Sequence, residues 1–328
     1  MIGVLGSGSW ATAIVKILLE SGHKEIAWWV REPEARETIT TQGYNPIYLT
    51  EAELDPARLR VSGDIREVVE MCDDIFVVIP SVYVASALSN ITLKVLRSRN
   101  WISATKGLVS IGNLTVTQYL QHHYGVDPSR LAIVSGPSHA EEVARKRLCY
   151  LTVGSSNEDL QKHVTDLINC SFVKSSTSFD VNGIEYAAAL KNVYAVAMGI
   201  ARGMGLGDNL IAVFVASAVR EMRYFLNQVS PMNDRDVTGY AYLGDLRVTC
   251  YSQFSRNRTF GQMIGHGYSI ASAKQEMNMV AEGYYAVEGL ERIREAHELE
   301  LPILQAVYSI LYRDVPPRVL MRNIGKIM

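Results

Sequence analysis

The sequence predicts an α/β protein with a doubly wound, mostly parallel sheet in its N-terminal part and an all-helical C-terminal domain. Strand-like apolar runs alternate with helical patterns up to residue 180, which is typical of the βαβ units that build a parallel sheet. From Gly183 onward helical periodicity dominates, and no convincing strand run interrupts it. We therefore expect two domains, residues 1–180 and residues 181–328.

The composition is that of an ordinary globular protein. The 328 residues suffice for two domains with sizeable cores, and 48% hydrophobic and 20% charged residues are typical of soluble chains. The net charge is −2, whereas proteins that bind nucleic acids or acidic membrane surfaces usually carry an excess of basic residues. We therefore expect neither as a partner.

The four cysteines are scattered and form no Cys-x-x-Cys pair, which favours reduced thiols over disulfides or a zinc site. They are Cys72, Cys149, Cys170 and Cys250. The first strand directly follows Met1, so we expect no signal peptide. The most apolar long stretch, residues 184–200, contains Glu185 and Lys191 and falls short of a membrane span. We expect a soluble, cytoplasmic protein without stable membrane insertion.

The N-terminus carries the most informative turn of the chain. A short apolar run from Ile2 ends at Gly6, and an apolar helical pattern opens near Trp10. Gly6, Gly8 and Ala11 fit the G-x-G-x-x-G/A fingerprint of dinucleotide-binding sites, in strand–turn–helix context. In that fingerprint the first glycine permits the sharp turn and the second admits a pyrophosphate. The pyrophosphate would lie on the N–H groups at the helix start.

The end of the second predicted strand bears on the choice of cofactor. The apolar run 26–30 is followed by Arg31 and Glu32. An acidic residue at this place suits the ribose 2′-OH of NAD, whereas arginine suits the 2′-phosphate of NADP. Arg31 favours NADPH. The alternative is a solvated Arg31–Glu32 surface pair, which leaves NAD possible.

Later apolar runs predict five more strands, and three of them end in loops with polar or small residues. The strands cover residues 74–79, 101–104, 131–134, 151–153 and 172–174. The loops begin with Pro80-Ser81, Thr105-Lys106-Gly107 and Ser135-Gly136-Pro137-Ser138-His139-Ala140. Ligands bind at such carboxyl ends in open α/β sheets. The helices predicted in the second domain cover residues 184–201, 210–227, 271–277, 284–298 and 303–312.

Two lysines are candidates for chemistry. Lys191 is the only charge in the stretch 187–199, among mostly small and apolar neighbours, where burial would lower its pKa towards the range useful for proton transfer. The alternative is a lysine whose ammonium reaches water along the helix surface. Lys106 follows a strand and precedes a glycine, which directs a cation at the sheet edge, although many Lys-Gly loops have no function.

The remaining candidates lie in loops and at helix starts. His139 could be a general base, but a lone loop histidine is more often a surface or hydrogen-bonding residue. Arg256 has the planar fork of donors that grips a phosphate, and Ser255 and Asn257 beside it could add hydrogen bonds. The alternative for this stretch is a polar helix start capped by Ser255.

Taken together, these stretches resemble the bacterial-type NAD(P)-dependent glycerol-3-phosphate dehydrogenase family. The matching motifs are Gly6-Ser-Gly-Ser-Trp-Ala-Thr-Ala, Thr105-Lys-Gly-Leu, Ser135-Gly-Pro-Ser-His-Ala-Glu-Glu-Val-Ala, Leu190-Lys-Asn-Val, Gly207-Asp-Asn, Leu243-Gly-Asp-Leu, Ser255-Arg-Asn-Arg-Thr-Phe-Gly and Ala281-Glu-Gly. They run in family order over nearly the whole chain. The resemblance implies a Rossmann domain followed by a helical domain, as a monomer or homodimer.

The resemblance also implies an activity and a set of site residues. The implied reaction is reversible hydride transfer between NAD(P)H and dihydroxyacetone phosphate, giving sn-glycerol 3-phosphate for phospholipid synthesis without a metal. Lys191 would be the proton donor and acceptor, assisted by Lys106. The implied substrate contacts are Lys106, Gly136, Ser138, Asp245, Ser255, Arg256 and Asn257. The implied cofactor contacts are Gly6, Gly8, Ser9, Trp10, Arg31, Lys106, Ala140, Arg256, Val280 and Glu282.

Two positions depart from the family pattern, because Ala11 and Tyr242 stand where glycine is usual. Alanine is allowed by the fingerprint, whereas Tyr242 adds bulk near the expected substrate mouth. The nearest rival is another two-domain reductase that acts on a small hydroxy or keto acid, with Arg256 gripping a carboxylate. A second rival is a non-catalytic dinucleotide sensor, which would not need two lysines near the nicotinamide.

Overall fold

The computed structural model describes residues 1–277 and 281–327, without the side chains of residues 324–327. The chain divides into two compact units. The first unit comprises Met1–Thr105 and Leu114–Ile184, and the second comprises Lys106–Asn113 and Glu185–Met328. The segment Lys106–Asn113, which falls within the predicted first domain, therefore groups with the second unit. The division into domains at residue 180 stays a prediction.

The core of the first unit is an eight-stranded sheet in the order β3-β2-β1-β4-β5-β6-β7-β8. Neighbouring strands are parallel except β6 and β7, which are antiparallel. The strands are Ile2–Leu5 (β1), Ile26–Trp29 (β2), Leu59–Ser62 (β3), Asp74–Val77 (β4), Asn100–Ser103 (β5), Leu131–Ser135 (β6), Cys149–Ser155 (β7) and Val173–Ser178 (β8). The strand order turns around between β1 and β4, and this confirms the predicted doubly wound sheet.

Burial explains why most strands could be recognised. All residues of β1 and β4 are buried, and strands covered on both faces read as continuous apolar runs. β3 was missed because its sequence, Leu-Arg-Val-Ser, lacks such a run. It is an edge strand that pairs only with β2 in the described sheet, so its arginine is exposed.

Helices connect the strands of this sheet, because parallel neighbours need crossover connections. They are Ser9–Glu20 (α1), Pro33–Gln42 (α2), Ile65–Met71 (α3), Ser81–Leu88 (α4), Leu93–Ser98 (α5), Val116–Tyr124 (α6), Ala140–Ala144 (α7) and Glu158–Ile168 (α8), with short 3-10 turns at Pro56–Arg58 and Pro128–Arg130. Ser21 caps the C-terminus of α1, as its Ser-Gly sequence indicates.

The second unit is helical, and none of its described residues forms a strand, in agreement with the predicted all-helical part. The helices from here to the end of the chain are Val181–Gly203 (α9), Asp208–Val229 (α10), Asp245–Tyr251 (α11), Arg256–Gly265 (α12), Ile270–Glu276 (α13), Glu282–Ala296 (α14), Pro302–Tyr312 (α15) and Arg318–Ile327 (α16). A π-helical turn, Tyr240–Gly244, precedes α11.

Glycines bring α9 and α12 into direct backbone contact. A Cβ on Gly199 or Gly203 of α9 would overlap the backbone of α12, and a Cβ on Gly261 or Gly265 of α12 would overlap the backbone of α9. Each pair is spaced four residues apart and therefore lies on one helix face. This close crossing fixes α9, which carries Lys191, against the helix that begins with Arg256.

Candidate functional site

The glycine turn (Gly6-Ser7-Gly8) joins β1 to α1 in the first unit. Gly6 has a φ of +126°, and a Cβ there would lie 2.5 Å from the carbonyl oxygen of Val78, so only glycine fits. A Cβ built on Gly8 meets no heavy atom of the described residues within 4 Å. Gly8 is also the N-cap of α1 and offers no side chain to the first N–H groups of the helix. The turn therefore leaves room for an anion at a helix N-terminus.

Arg31 and Glu32, which follow β2, differ in exposure and in their contacts. The Arg31 side chain is 70% exposed, and its guanidinium lies 3.1 Å from Oε1 of Glu32. The Glu32 side chain is 19% exposed and also accepts a hydrogen bond from the Tyr48 hydroxyl at 3.3 Å. Burial tends to raise the pKa of Glu32, but hydrogen bonds from Ser7 and Arg31 outweigh burial and lower it. Glu32 is held within the protein, whereas most of Arg31 faces solvent.

The loop after β6 is packed tightly against its neighbours. Gly136 has a φ of +148°, and a Cβ there would lie 2.5 Å from the carbonyl oxygen of Tyr150. The buried Ser138 hydroxyl donates to the Gly136 carbonyl at 3.1 Å. His139 is the N-cap residue of α7, and the buried Ala140 begins that helix. The loop lies at the same carboxyl edge of the sheet as the glycine turn, since β1 and β6 run in the same direction.

In the second unit, Lys106, Lys191 and Asp245 form a lysine–aspartate cluster. The Lys191 ammonium contacts Oδ2 of Asp245, and the Lys106 ammonium lies 3.8 Å from the same oxygen. The side chains of Lys191 and Asp245 are 3% and 1% exposed, and that of Lys106 is 17% exposed. Lys191 is thus buried, and the alternative of an ammonium that reaches water is wrong.

The surroundings of Lys191 set its protonation. Burial, the largest influence, and the charge of Lys106 together lower the pKa of its ammonium to about 7, although the Asp245 carboxylate acts in the opposite direction. A lysine in this state can give up and take back a proton near neutral pH. Asp245 is the first residue of α11.

Asn192 is a residue of this site that sequence reasoning missed. Its buried side-chain amide donates to the backbone carbonyl of Lys106 at 2.8 Å. Asn192 follows Lys191 on α9, so this one helix places one lysine and holds the backbone of the other. The available signal was the motif Leu190-Lys-Asn-Val, in which only the lysine was singled out.

Two polar side chains at the start of α12, those of Ser255 and Asn257, accept hydrogen bonds from backbone N–H groups. Ser255 is the N-cap, and its hydroxyl accepts from the Arg258 N–H at 3.3 Å, so the capping alternative is correct for this serine. Oδ1 of Asn257 accepts from the Gly283 N–H at 2.9 Å and ties the start of α12 to the start of α14. Ligand contacts by Ser255 and Asn257 stay predictions.

Glu282 lies within electrostatic reach of three cations. It is the first residue of α14; burial raises its pKa, and the charges of Arg256, Lys106 and Lys191 oppose that rise. The three cations therefore share one region of the second unit with the carboxylates of Glu282 and Asp245. Such a region suits an anionic substrate whose oxygen exchanges a proton with a lysine.

Two further expectations have different outcomes. Val280, an expected cofactor contact, lies outside the described residues. Tyr242, the departure from glycine, is buried within the π-helical turn before Asp245.

Across the described ranges, no helix is long and apolar enough to cross a bilayer, and no three His, Cys, Asp or Glu side chains are grouped as a metal ion would require.

A glycine turn at a helix N-terminus of a doubly wound sheet, together with a lysine–aspartate cluster in a helical unit, defines the class of dinucleotide-dependent oxidoreductases. Two family models match the chain. The model for the N-terminus of NAD-dependent glycerol-3-phosphate dehydrogenase covers residues 1–161, and the model for its C-terminus covers residues 180–322. The chain belongs to this family.

Individual relatives agree over almost the full length. The glycerol-3-phosphate dehydrogenase [NAD(P)+] of Staphylococcus carnosus is 30% identical over 96% of this chain and 94% of its own. That of Thermobifida fusca is 32% identical over the same shares. The crystal structure of glycerol-3-phosphate dehydrogenase from Coxiella burnetii superposes with a TM-score of 0.90 at 27% identity, covering 99% of this chain and 98% of its own.

Proposed function

We propose that the protein catalyses reversible hydride transfer between NAD(P)H and dihydroxyacetone phosphate, forming sn-glycerol 3-phosphate. The observation that carries this proposal is the buried contact between Lys191 and Asp245 with Lys106 beside it. The names of the relatives supply the substrate pair. Within the proposed domains, residues 1–180 bind the cofactor, and residues 181–328 hold the substrate with the help of Lys106.

The cofactor is proposed to bind at the glycine turn, where the open space over Gly8 fits a pyrophosphate. When bound, the reduced nicotinamide supplies the hydride. Ser9 and Trp10 follow the turn in α1, and the Trp10 indole donates to the Ala104 carbonyl at 3.1 Å, which fixes the ring. We propose NADPH as the preferred cofactor because the exposed Arg31 fork can pair with a 2′-phosphate, while Glu32 is engaged by Tyr48.

Lys191 is proposed to exchange the proton. When hydride reaches the carbonyl carbon, negative charge grows on the oxygen, and a nearby ammonium both stabilises that charge and donates the proton. In the reverse direction the neutral amine accepts the alcohol proton. Asp245 holds the Lys191 side chain in place, and the positive charge of Lys106 favours the neutral amine.

Arg256 is proposed to bind the substrate phosphate. Its guanidinium can form two parallel hydrogen bonds to phosphate oxygens, and this remote contact orients the reacting carbon. The other motif residues stay predictions of the resemblance: Gly136, Ser138, Ser255 and Asn257 as substrate contacts, and Ala140, Val280 and Glu282 as cofactor contacts. We also propose a cytoplasmic monomer or homodimer that supplies glycerol 3-phosphate for phospholipid synthesis and binds no nucleic acid.

The decisive experiment compares substrates. Purified protein is incubated with NADPH or NADH and dihydroxyacetone phosphate, ketopantoate or 2-keto acids, and the absorbance of the reduced cofactor is followed. We expect turnover with dihydroxyacetone phosphate and a lower Michaelis constant for NADPH than for NADH. Turnover with the keto acids alone would refute the proposed substrate, and binding of cofactor without any turnover would favour a sensor.

A further inference from the structure

A buried asparagine lies directly beneath the glycine turn. Asn45, in the loop between α2 and β3, has no exposed surface. Its Nδ2 donates to the Ser7 carbonyl at 2.8 Å and to the Thr12 hydroxyl at 2.9 Å. Its Oδ1 accepts from the backbone N–H groups of Ile47 and Tyr48 at 3.1 and 3.3 Å. Both donor hydrogens and the acceptor oxygen of the amide are therefore in use.

Thr12 extends this contact to the next peptide of the turn. The Thr12 hydroxyl accepts from Asn45 and donates to the Gly8 carbonyl at 3.1 Å. Asn45 therefore holds the Ser7 carbonyl directly. Through the Thr12 hydroxyl it supports the Gly8 carbonyl, which also accepts from the Thr12 N–H at 3.0 Å. We name Asn45 and Thr12 the amide brace of the glycine turn.

Peptide geometry explains how the amide brace orients the N–H groups of the glycine turn. In a planar trans peptide the carbonyl and the N–H of the next residue point in opposite directions. Holding the Ser7 carbonyl towards Asn45 turns the Gly8 N–H away from it, and holding the Gly8 carbonyl does the same for the Ser9 N–H. A Cβ on Gly8 would meet only open space among the described residues, so there is room for a ligand beside this peptide.

The same loop also holds the residue pair at the end of β2. Tyr48, whose N–H is bound by Asn45, donates its hydroxyl to Oε1 of Glu32. Glu32 in turn lies within hydrogen-bonding reach of Ser7. One short loop thus contacts both the turn proposed for the pyrophosphate and the position proposed for the ribose.

We propose that Asn45 is a positioning residue for the cofactor, acting through Ser7 and Thr12 to orient the N–H groups that receive the pyrophosphate. This inference rests on the proposed cofactor site at the glycine turn. Asn45 touches no substrate or cofactor atom in this role. Asparagine is required because aspartate of the same shape has no amide N–H to donate to a carbonyl.

The test measures NADPH affinity separately from turnover and stability. N45D keeps the shape without the donors, T12V removes the hydroxyl, and T12S retains it. Q161A is the matched control, because Gln161 is another buried amide of this unit that donates to two carbonyls, of Ser155 and Ser178. For each variant we would measure the dissociation constant of NADPH by fluorescence titration, the Michaelis constants, kcat and the melting temperature.

We expect N45D to raise the dissociation and Michaelis constants for NADPH about tenfold or more, with kcat at saturating NADPH little changed. T12V should show a smaller rise, which T12S reverses. Q161A should lower the melting temperature while NADPH affinity stays as in the parent. If N45D lowers stability like Q161A but leaves NADPH affinity unchanged, Asn45 is merely structural and the inference is wrong. Should N45D fail to fold, T12V against T12S decides.

G8A separates this inference from the proposed function. A methyl group fits the protein at Gly8 but would obstruct a pyrophosphate. If G8A binds NADPH like the parent, the proposed cofactor site is wrong and the role of Asn45 is overturned with it. If G8A weakens binding while N45D and T12V do not, only the inference about Asn45 fails.

Discussion

The ammonium of Lys191 contacts the carboxylate of Asp245, and both side chains are almost completely buried. Breaking such a pair by removing one partner leaves an uncompensated buried charge. Burial of this pair costs desolvation free energy. A role of the Lys191 proton in the reaction accounts for that cost. Lys106, 3.8 Å from the same carboxylate oxygen, adds a second positive charge that keeps the proton exchangeable.

Lys191→Met should abolish most of the turnover and leave cofactor binding intact. The variant keeps much of the side-chain volume but removes the proton donor, so kcat should fall about 10²- to 10⁴-fold, the usual contribution of general acid–base catalysis. NADPH affinity, measured by fluorescence titration, should change less than about twofold, because the proposed cofactor site uses other residues. An unchanged kcat would exclude Lys191 as the proton-exchanging group.

The two directions of the reaction should depend on pH in opposite ways. Ketone reduction needs the Lys191 ammonium, so its rate should fall as pH rises through about 7, the lowered pKa of this lysine. Alcohol oxidation needs the neutral amine, so its rate should rise over the same range. Profiles of kcat for both directions between pH 5.5 and about 9 would check this. Parallel profiles would contradict it.

Neutral variants of the two neighbours should shift those profiles in opposite directions. The Lys106 charge lowers the pKa of Lys191, so K106M should move both profiles to higher pH. The Asp245 carboxylate raises the pKa of Lys191, so D245N should move them to lower pH. A general loss of activity through misfolding would lower kcat without producing this pair of opposite shifts.

The sequence predicted much of this arrangement, and the reasons for the misses are physical. Fully buried strands such as β4 are continuous apolar runs and are readable, whereas the edge strand β3 is half polar and is not. The sequence of β7 has no signal that distinguishes its direction from that of β6, to which it is antiparallel. Asn45 lies outside the motifs that carry the family resemblance, and its contact with Ser7, 38 positions away, is visible only in the fold.

The active-site candidates were predictable in kind but not in arrangement. The isolated charge of Lys191 in an apolar stretch left two alternatives, a buried ammonium or one that reaches water, and the structure shows that it is buried. Its partner could not be derived from spacing, because Asp245 lies on a different helix and only the family resemblance grouped the two residues. For Ser255 the capping alternative was correct, since the hydroxyl is engaged at the start of α12.

Arg31→Ala should weaken NADPH but not NADH. Loss of a charge-assisted contact to the 2′-phosphate should raise the Michaelis constant for NADPH about tenfold, while NADH lacks that phosphate. R66A is the control. Arg66 is also exposed and ion-paired with a nearby acid, Asp64, but it lies in the first turn of α3 and is not a proposed cofactor contact. Equal effects of R31A on both cofactors would show that Arg31 does not read the 2′-phosphate.

Arg256→Ala should raise the Michaelis constant for dihydroxyacetone phosphate about ten- to a hundredfold, because a bidentate phosphate contact is lost from the remote end of the substrate. Arg247, exposed on α11, provides the control variant R247A, which removes the same charge without removing a proposed contact. Dihydroxyacetone, which lacks the phosphate, sharpens the test. Its kcat/KM should be nearly the same in R256A and the parent, whereas equal losses for both substrates would place Arg256 away from the phosphate.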